Sequence, residues 1–153
     1  MFMDICLNLN SKMRGGKVLA SEIKNFVGFV LLYLHLEAAC LSINFVSEKK
    51  IRSMNKFFRK KDKVTDVLSF SVCDGEHAEF SGVNDLGDIF ICLPVIRRQA
   101  VDYGVGFESE LRRMVAHGIL HLAGYDHECS RAEEIKMFSL QEKILLKYGQ
   151  EKN

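Results

Sequence analysis

Apolar and polar residues alternate along MDICLNLN (3–10), the two-residue period of a half-buried strand. SKMRGG breaks that pattern. Across residues 17–40 the period changes. Leu19, Ile23, Phe26, Val27, Val30 and Leu34 recur at helical spacing, which predicts a long, mostly buried helix. Alternation returns in LSINFVS (41–47), a second strand. EKKIRSMNKFF (48–58) reads as a short basic helix with Ile51, Met54 and Phe58 facing inward. TDVLSFSV (65–72) and GDIFICL (87–93) predict two more strands, separated by a polar turn, DGEHAEFSGVND (74–85).

Three helices follow. Pro94 suits the first turn of a helix over 94–104, where its missing N–H is not needed. Residues 107–123 form the next, which carries His117 and His121. The last spans 130–148; Ser130 is its N-cap and Glu133, three residues on, completes a capping box. The expected fold class is α+β: about four strands in a mixed sheet with helices packed on it, and a metal site at the end of a central helix. No repeat, low-complexity tract or linker divides residues 1–153, so a single domain is expected. Strand order does not follow from the pattern.

Composition narrows the class without naming a partner. With 48% hydrophobic and 27% charged residues, the chain reads as an ordinary soluble globular protein, and a net charge of +1 singles out no ligand. The most apolar run, residues 26–41, contains His35 and Glu37 and is shorter than the roughly 20 apolar residues a membrane span needs. Cys6, Cys40, Cys73, Cys92 and Cys129 form an odd set with no C-x-x-C pair, which fits a reducing compartment. No charged-then-apolar leader opens the sequence, and the expected location is the cytoplasm.

The chemistry concentrates in HGILHLAGYDH (117–127). His117 and His121 share one face of a helix. On a continuous helix His127 would point elsewhere. Gly124 can adopt the left-handed conformation that ends a helix, and the reversal swings Asp126 and His127 back. Three neutral imidazoles leave one position of a Zn²⁺ ion open, the pattern of a catalytic site. Three of the five histidines fall in eleven residues around a turn glycine, which argues against coincidence. A structural zinc closed by Asp126 or Cys129 is the competing reading. Asp126 is either a partner that orients His127 or a neighbouring ligand, or a turn aspartate. His35 reads as packed on its helix and His77 as a solvated loop residue.

A second concentration is KKIRSMNKFFRKKDK (49–63), eight cations against one acid, with Phe57 and Phe58 among them. Positive clusters attract phosphates and aromatic rings can stack bases. A solvated helix face is the simpler reading for most of the lysines, and burial in the core for the phenylalanines. Arg59 differs because it stands where the helix gives way to a loop, and a guanidinium there can grip a phosphate with two N–H groups. Zinc peptidases with this histidine spacing place a glutamate directly after the first histidine, where this chain has Gly118. That substitution counts against a peptidase. A metal-assisted nuclease and a non-catalytic RNA-binding assembly factor with a structural zinc both remain.

HGILHLAGYDH (117–127), NKFFRKKDKVTDVLSF (55–70), LGDIFIC (86–92) and MFSLQEKIL (137–145) together closely resemble the bacterial YbeY family of rRNA maturation factors, in register from about residue 40 to residue 147. The resemblance implies a single-strand-specific, metal-dependent endoribonuclease acting in 16S rRNA 3′-end maturation and late-stage ribosome quality control. It implies one zinc ion on His117, His121 and His127 and a functional Arg59. Within the basic stretch, RNA contacts are expected at Arg59, Lys60 and Lys61. The expected partner is single-stranded RNA of the 16S precursor, with ribosomal small-subunit proteins or assembly GTPases as further candidates, and neither membrane nor DNA. Lys60 and Val64 replace the family's usual glycine and proline, and Cys92 stands where serine is common. The resemblance does not supply a general base.

Overall fold

The structure is a computed structural model that describes residues 7–10, 16–72 and 85–153. The element order is β1 (Leu7–Asn10), α1 (Gly16–Tyr33), β2 (Cys40–Phe45), α2 (Glu48–Arg59), β3 (Val67–Ser71), β4 (Asp85–Ile91), α3 (Leu93–Tyr103), α4 (Phe107–Leu122) and α5 (Arg131–Lys152). The four strands form one mixed sheet in the order β1-β2-β4-β3. β1, β2 and β4 run parallel, and β3 returns antiparallel along β4 as an edge strand. The α+β expectation and its four-stranded mixed sheet hold.

Alternation along the strands decides what each face of the sheet meets. Leu41, Ile43, Ile89 and Ile91 point to one side and form the main core with Phe26, Val27, Val30 and Leu31 of α1 and Leu111, Val115 and Ile119 of α4; Met137 and Ile144 of α5 close it from behind. Leu68 and its register partner Phe90 point the other way and pack with Ile51 and Met54 of α2. Each fully buried Leu, Ile or Phe in these clusters contributes about 1.5–3 kcal/mol.

α2 is capped at both ends. Ser47 Oγ accepts from Lys50 N at 3.1 Å, and Lys60 takes a left-handed conformation (φ 61°) whose N–H returns to Asn55 O. Buried Asn55 also donates from Nδ2 to Lys63 O at 3.0 Å. One side chain therefore holds the loop after the helix in place.

Some expectations need correction. The helix expected over 17–40 stops at Tyr33. His35 is an exposed, left-handed turn residue (φ 57°) and does not pack on a helix. Leu36 N donates back to Leu31 O at 2.8 Å while the Leu36 side chain lies against the core, so capping bonds and an apolar contact together outweigh helix continuation. Phe58, expected to face inward, is 55% exposed and Phe57 71%. The buried stripe of α2 runs through Ile51, Met54 and Asn55 and does not extend to Phe58. Phe58 reaches the sheet at Phe70 of the edge strand, and more than half of it stays open to solvent. His77, Cys6, Cys73 and most of the turn at 74–85 lie outside the described residues. Among the described residues, no helix is long and apolar enough to cross a membrane.

Candidate metal centre

α4 places His117 and His121 one turn apart, their ring centroids 4.7 Å from each other. Past Leu122 the chain reverses. Gly124 adopts φ 100°, Gly124 N donates to His121 O at 3.0 Å, and Tyr125 N donates to Leu120 O at 3.0 Å. The left-handed turn is available to glycine without a Cβ penalty. It returns His127 to the helix end, where its Nδ1 lies 3.1 Å from His121 Nε2. One ligand atom from each of the three imidazoles falls within 4.8 Å of the others. The histidines at 117, 121 and 127 are thus brought together.

This donor set fits a divalent transition metal. Burial, and then the neighbouring rings of His117 and His127, bring the pKa of His121 down from 6.5 to about 4. Burial also lowers His117, against the opposing effect of its bond to Gln141. Both rings are neutral at pH 7, with lone pairs available to an ion. Gln141 Oε1 accepts from His117 Nδ1 at 3.0 Å, which leaves Nε2 as the donor atom. Phe138 lies against His117 and His127, with centroids 6.0 and 5.9 Å away, and walls the site on the α5 side.

Gln141 is absent from the sequence-based site. Its signal was present: Met137, Gln141, Ile144 and Tyr148 form the buried stripe of α5, and a glutamine on such a stripe needs a partner.

Asp126 and Cys129 do not join the cluster of ligand atoms among the described residues. Asp126 Oδ1 accepts from Glu128 N at 2.8 Å, and Cys129 Sγ donates to Oδ2 at 3.2 Å. These bonds hold the Asp126 carboxyl below the usual carboxylate range. They also give Asp126 the place of a turn residue beside His127.

Gly118 is buried and turned toward the sheet. A Cβ there would come within 3.0 and 3.1 Å of Ile89 Cδ1 and Cγ2, and within 3.2 Å of Ser69 Oγ. A glutamate at this position would enter the core, so close packing of α4 on β3 and β4 excludes the peptidase arrangement.

Arg59 ends α2 at the same strand edge. Its Nη2 donates to Ser69 O at 2.9 Å, and its Cζ stands 5.6 Å from the Phe70 ring centroid. Ser69 therefore links the guanidinium on the edge to Gly118, the residue after His117. Among the described residues no acid pairs with Arg59, Lys60 or Lys61, since the local acid Asp62 is taken by Arg52 and Lys56. The Lys60 ammonium turns back, donating to Phe57 O at 3.2 Å. Lys61 is exposed.

Comparison with known proteins agrees with this geometry. The family model described as Endoribonuclease YbeY matches residues 8–149. An Endoribonuclease YbeY from Oenococcus oeni is 40% identical over 132 residues, 85% of this chain and 86% of the relative. One from Staphylococcus aureus is 44% identical over 133 residues, 84% of this chain and 85% of the relative. A solution structure from Thermotoga maritima superimposes with a TM-score of 0.64 at 32% identity, covering 91% of this chain and 86% of that one. The histidine cluster, the edge arginine and these matches over most of the chain establish that it belongs to the YbeY endoribonuclease family.

Proposed function

We propose that this protein is a zinc-dependent endoribonuclease that cuts single-stranded RNA in 16S rRNA 3′-end maturation and late-stage ribosome quality control. It would work in the cytoplasm, beside ribosomal small-subunit proteins or assembly GTPases. One observation carries the reading: three imidazoles cluster at the end of α4, which packs at Gly118 on Ser69 of β3, and Ser69 O also holds a guanidinium that has no acidic partner among the described residues, in a family named for RNA cleavage. The family name alone would support an RNA-cleaving role. The geometry adds a division of labour.

His117, His121 and His127 would hold the ion, and Gln141 fixes the ring orientation of His117. When bound, the ion supplies Lewis acidity, which draws electrons from a phosphoryl oxygen and lowers the pKa of a water. Arg59 keeps N–H groups that Ser69 O does not use. It binds the scissile phosphate with them and offsets charge that builds on its oxygens in the transition state. Lys60 and Lys61 extend the positive field along the RNA backbone. Asp126 shapes the turn that presents His127.

The test uses wild type, His121→Ala and Arg59→Glu, each incubated with single-stranded rRNA fragments and with casein, and assayed for bound metal. Wild type is expected to cut RNA and spare casein. His121→Ala should lose both zinc and cutting, and Arg59→Glu should lose cutting while keeping zinc. Equal RNA cutting by all three proteins would overturn the assignment.

A further inference from the structure

The last turn of α2 exposes two adjacent phenylalanines, an uncommon use of that residue type on a soluble protein. Their rings meet edge to face, with centroids 4.8 Å apart, and Phe58 meets Phe70 in the same manner at 5.0 Å. Phe70 in turn lies beneath the Arg59 guanidinium. An aromatic row thus runs from open surface to the arginine at the strand edge. Lys60 Nζ stands 5.8 Å from the Phe57 ring centroid.

The charge around this row identifies its occupant. On α2 and the loop after it, Asp62 is taken by Arg52 and Lys56, and Glu48 by Arg98. Lys49, Lys50, Lys60, Lys61 and Lys63 have no acidic partner among the described residues. An exposed pair of π-faces, with Lys60 beside Phe57 and further cations without acidic partners along the same helix and loop, complements a chain that carries flat bases and a phosphate at every step.

We propose that Phe57 and Phe58 form a nucleobase-stacking subsite on the sheet edge, and that this subsite sets a preference for single-stranded over paired RNA. The proposal rests on the RNA-cleaving reading above. A duplex keeps its bases stacked on one another and presents mainly phosphates and 2′-hydroxyls, which the lysines bind but the rings do not. A single strand can lay a base on Phe57 or Phe58 while Arg59 holds a neighbouring phosphate. Stacking accepts any base, because each has a π-face, so the subsite selects for strandedness and not for sequence.

The chain contains no tryptophan, so Phe57→Trp adds a single tryptophan, which can be excited selectively over the four tyrosines, and keeps a π-face. Zinc-loaded Phe57→Trp is titrated with a short 2′-O-methyl oligouridylate, with an abasic strand of equal length and charge, and with a duplex. Quenching is expected from the oligouridylate only. In parallel, Phe57→Ala and Phe58→Ala should weaken oligouridylate binding about 5- to 100-fold and leave abasic binding unchanged. Phe58→Leu keeps an apolar contact with Phe70 but has no π-face, and should show the same loss, which separates stacking from damage to α2. Equal quenching by the abasic strand, or unchanged affinity in the alanine variants, would overturn the subsite and leave the patch as a protein-docking surface. Cleavage by wild type is measured alongside. Intact cleavage without a stacking signal overturns the subsite alone, whereas a wild type that neither binds nor cuts RNA overturns the parent reading as well.

Discussion

Gln141 Oε1 lies 3.0 Å from His117 Nδ1, and this contact joins the metal site to the buried stripe of α5. The amide oxygen can only accept, so Nδ1 carries the proton and Nε2 is left with its lone pair. Gln141→Leu preserves volume and apolar packing but frees the ring to change tautomer. It is expected to weaken zinc binding about 10- to 100-fold in a competitive chelator titration. Gln141→Glu keeps an acceptor and should recover most of the affinity. Wild-type affinity in the leucine variant would show that packing alone orients His117.

Gly118 is held to its identity by contact. Alanine there gains about 1 kcal/mol of helix propensity. It also places a methyl group at 3.0–3.2 Å from Ile89 and Ser69, so α4 or the sheet must give way. Urea unfolding of Gly118→Ala should show a net loss of about 1–2 kcal/mol. Gly118→Glu puts a carboxylate into the core and should cost more than about 3 kcal/mol, without any gain of peptidase activity. A stable Gly118→Glu protein that cleaves casein would refute the packing argument.

Lys60 holds a left-handed backbone conformation, φ 61° and ψ 28°, at the C-cap of α2. That conformation explains why glycine is the family's usual residue after the arginine: a Cβ is penalised there, and glycine is not. Lys60→Gly should therefore raise stability by about 0.5–1 kcal/mol in chemical denaturation. The same change removes a cation beside Phe57, and RNA affinity should fall, with a shallower salt dependence. A variant both more stable and equally tight for RNA would take Lys60 out of the binding surface.

The parts legible in the sequence are those that local geometry decides. Helical spacing pairs His117 with His121, and Gly124 permits the reversal that returns His127. These relations span a few residues and survive any tertiary arrangement. Arg59 was legible for a similar reason, as the residue that ends a helix. Gln141 was not, because its partner is 24 positions away and the two meet only when α4 and α5 pack. Phe58 was misread because its spacing matches Ile51 and Met54. Periodicity gives the face of a helix but not how far burial extends along it. Strand order depends on how the helices cross over the sheet, which the alternation of single strands does not encode.

The histidines also set how the metal-free protein responds to acid. In the folded state His121 titrates at about 4, while an unfolded chain returns it to 6.5; His117 is shifted in the same direction. Between those values the unfolded state binds more protons, so stability falls as pH falls. The contribution is whole above about pH 6.5, is lost progressively on acidification, and is gone once the folded-state value of about 4 is passed. A displacement of that size corresponds to about 3 kcal/mol at full strength. His121 is only half-buried, and solvent screening reduces this to about 1–2 kcal/mol. Urea unfolding of the metal-free protein at pH 7, 5.5 and 4 should show that decline, and His121→Ala should flatten it. If the alanine variant loses stability as steeply over the same window, the acid sensitivity belongs to groups outside the metal centre.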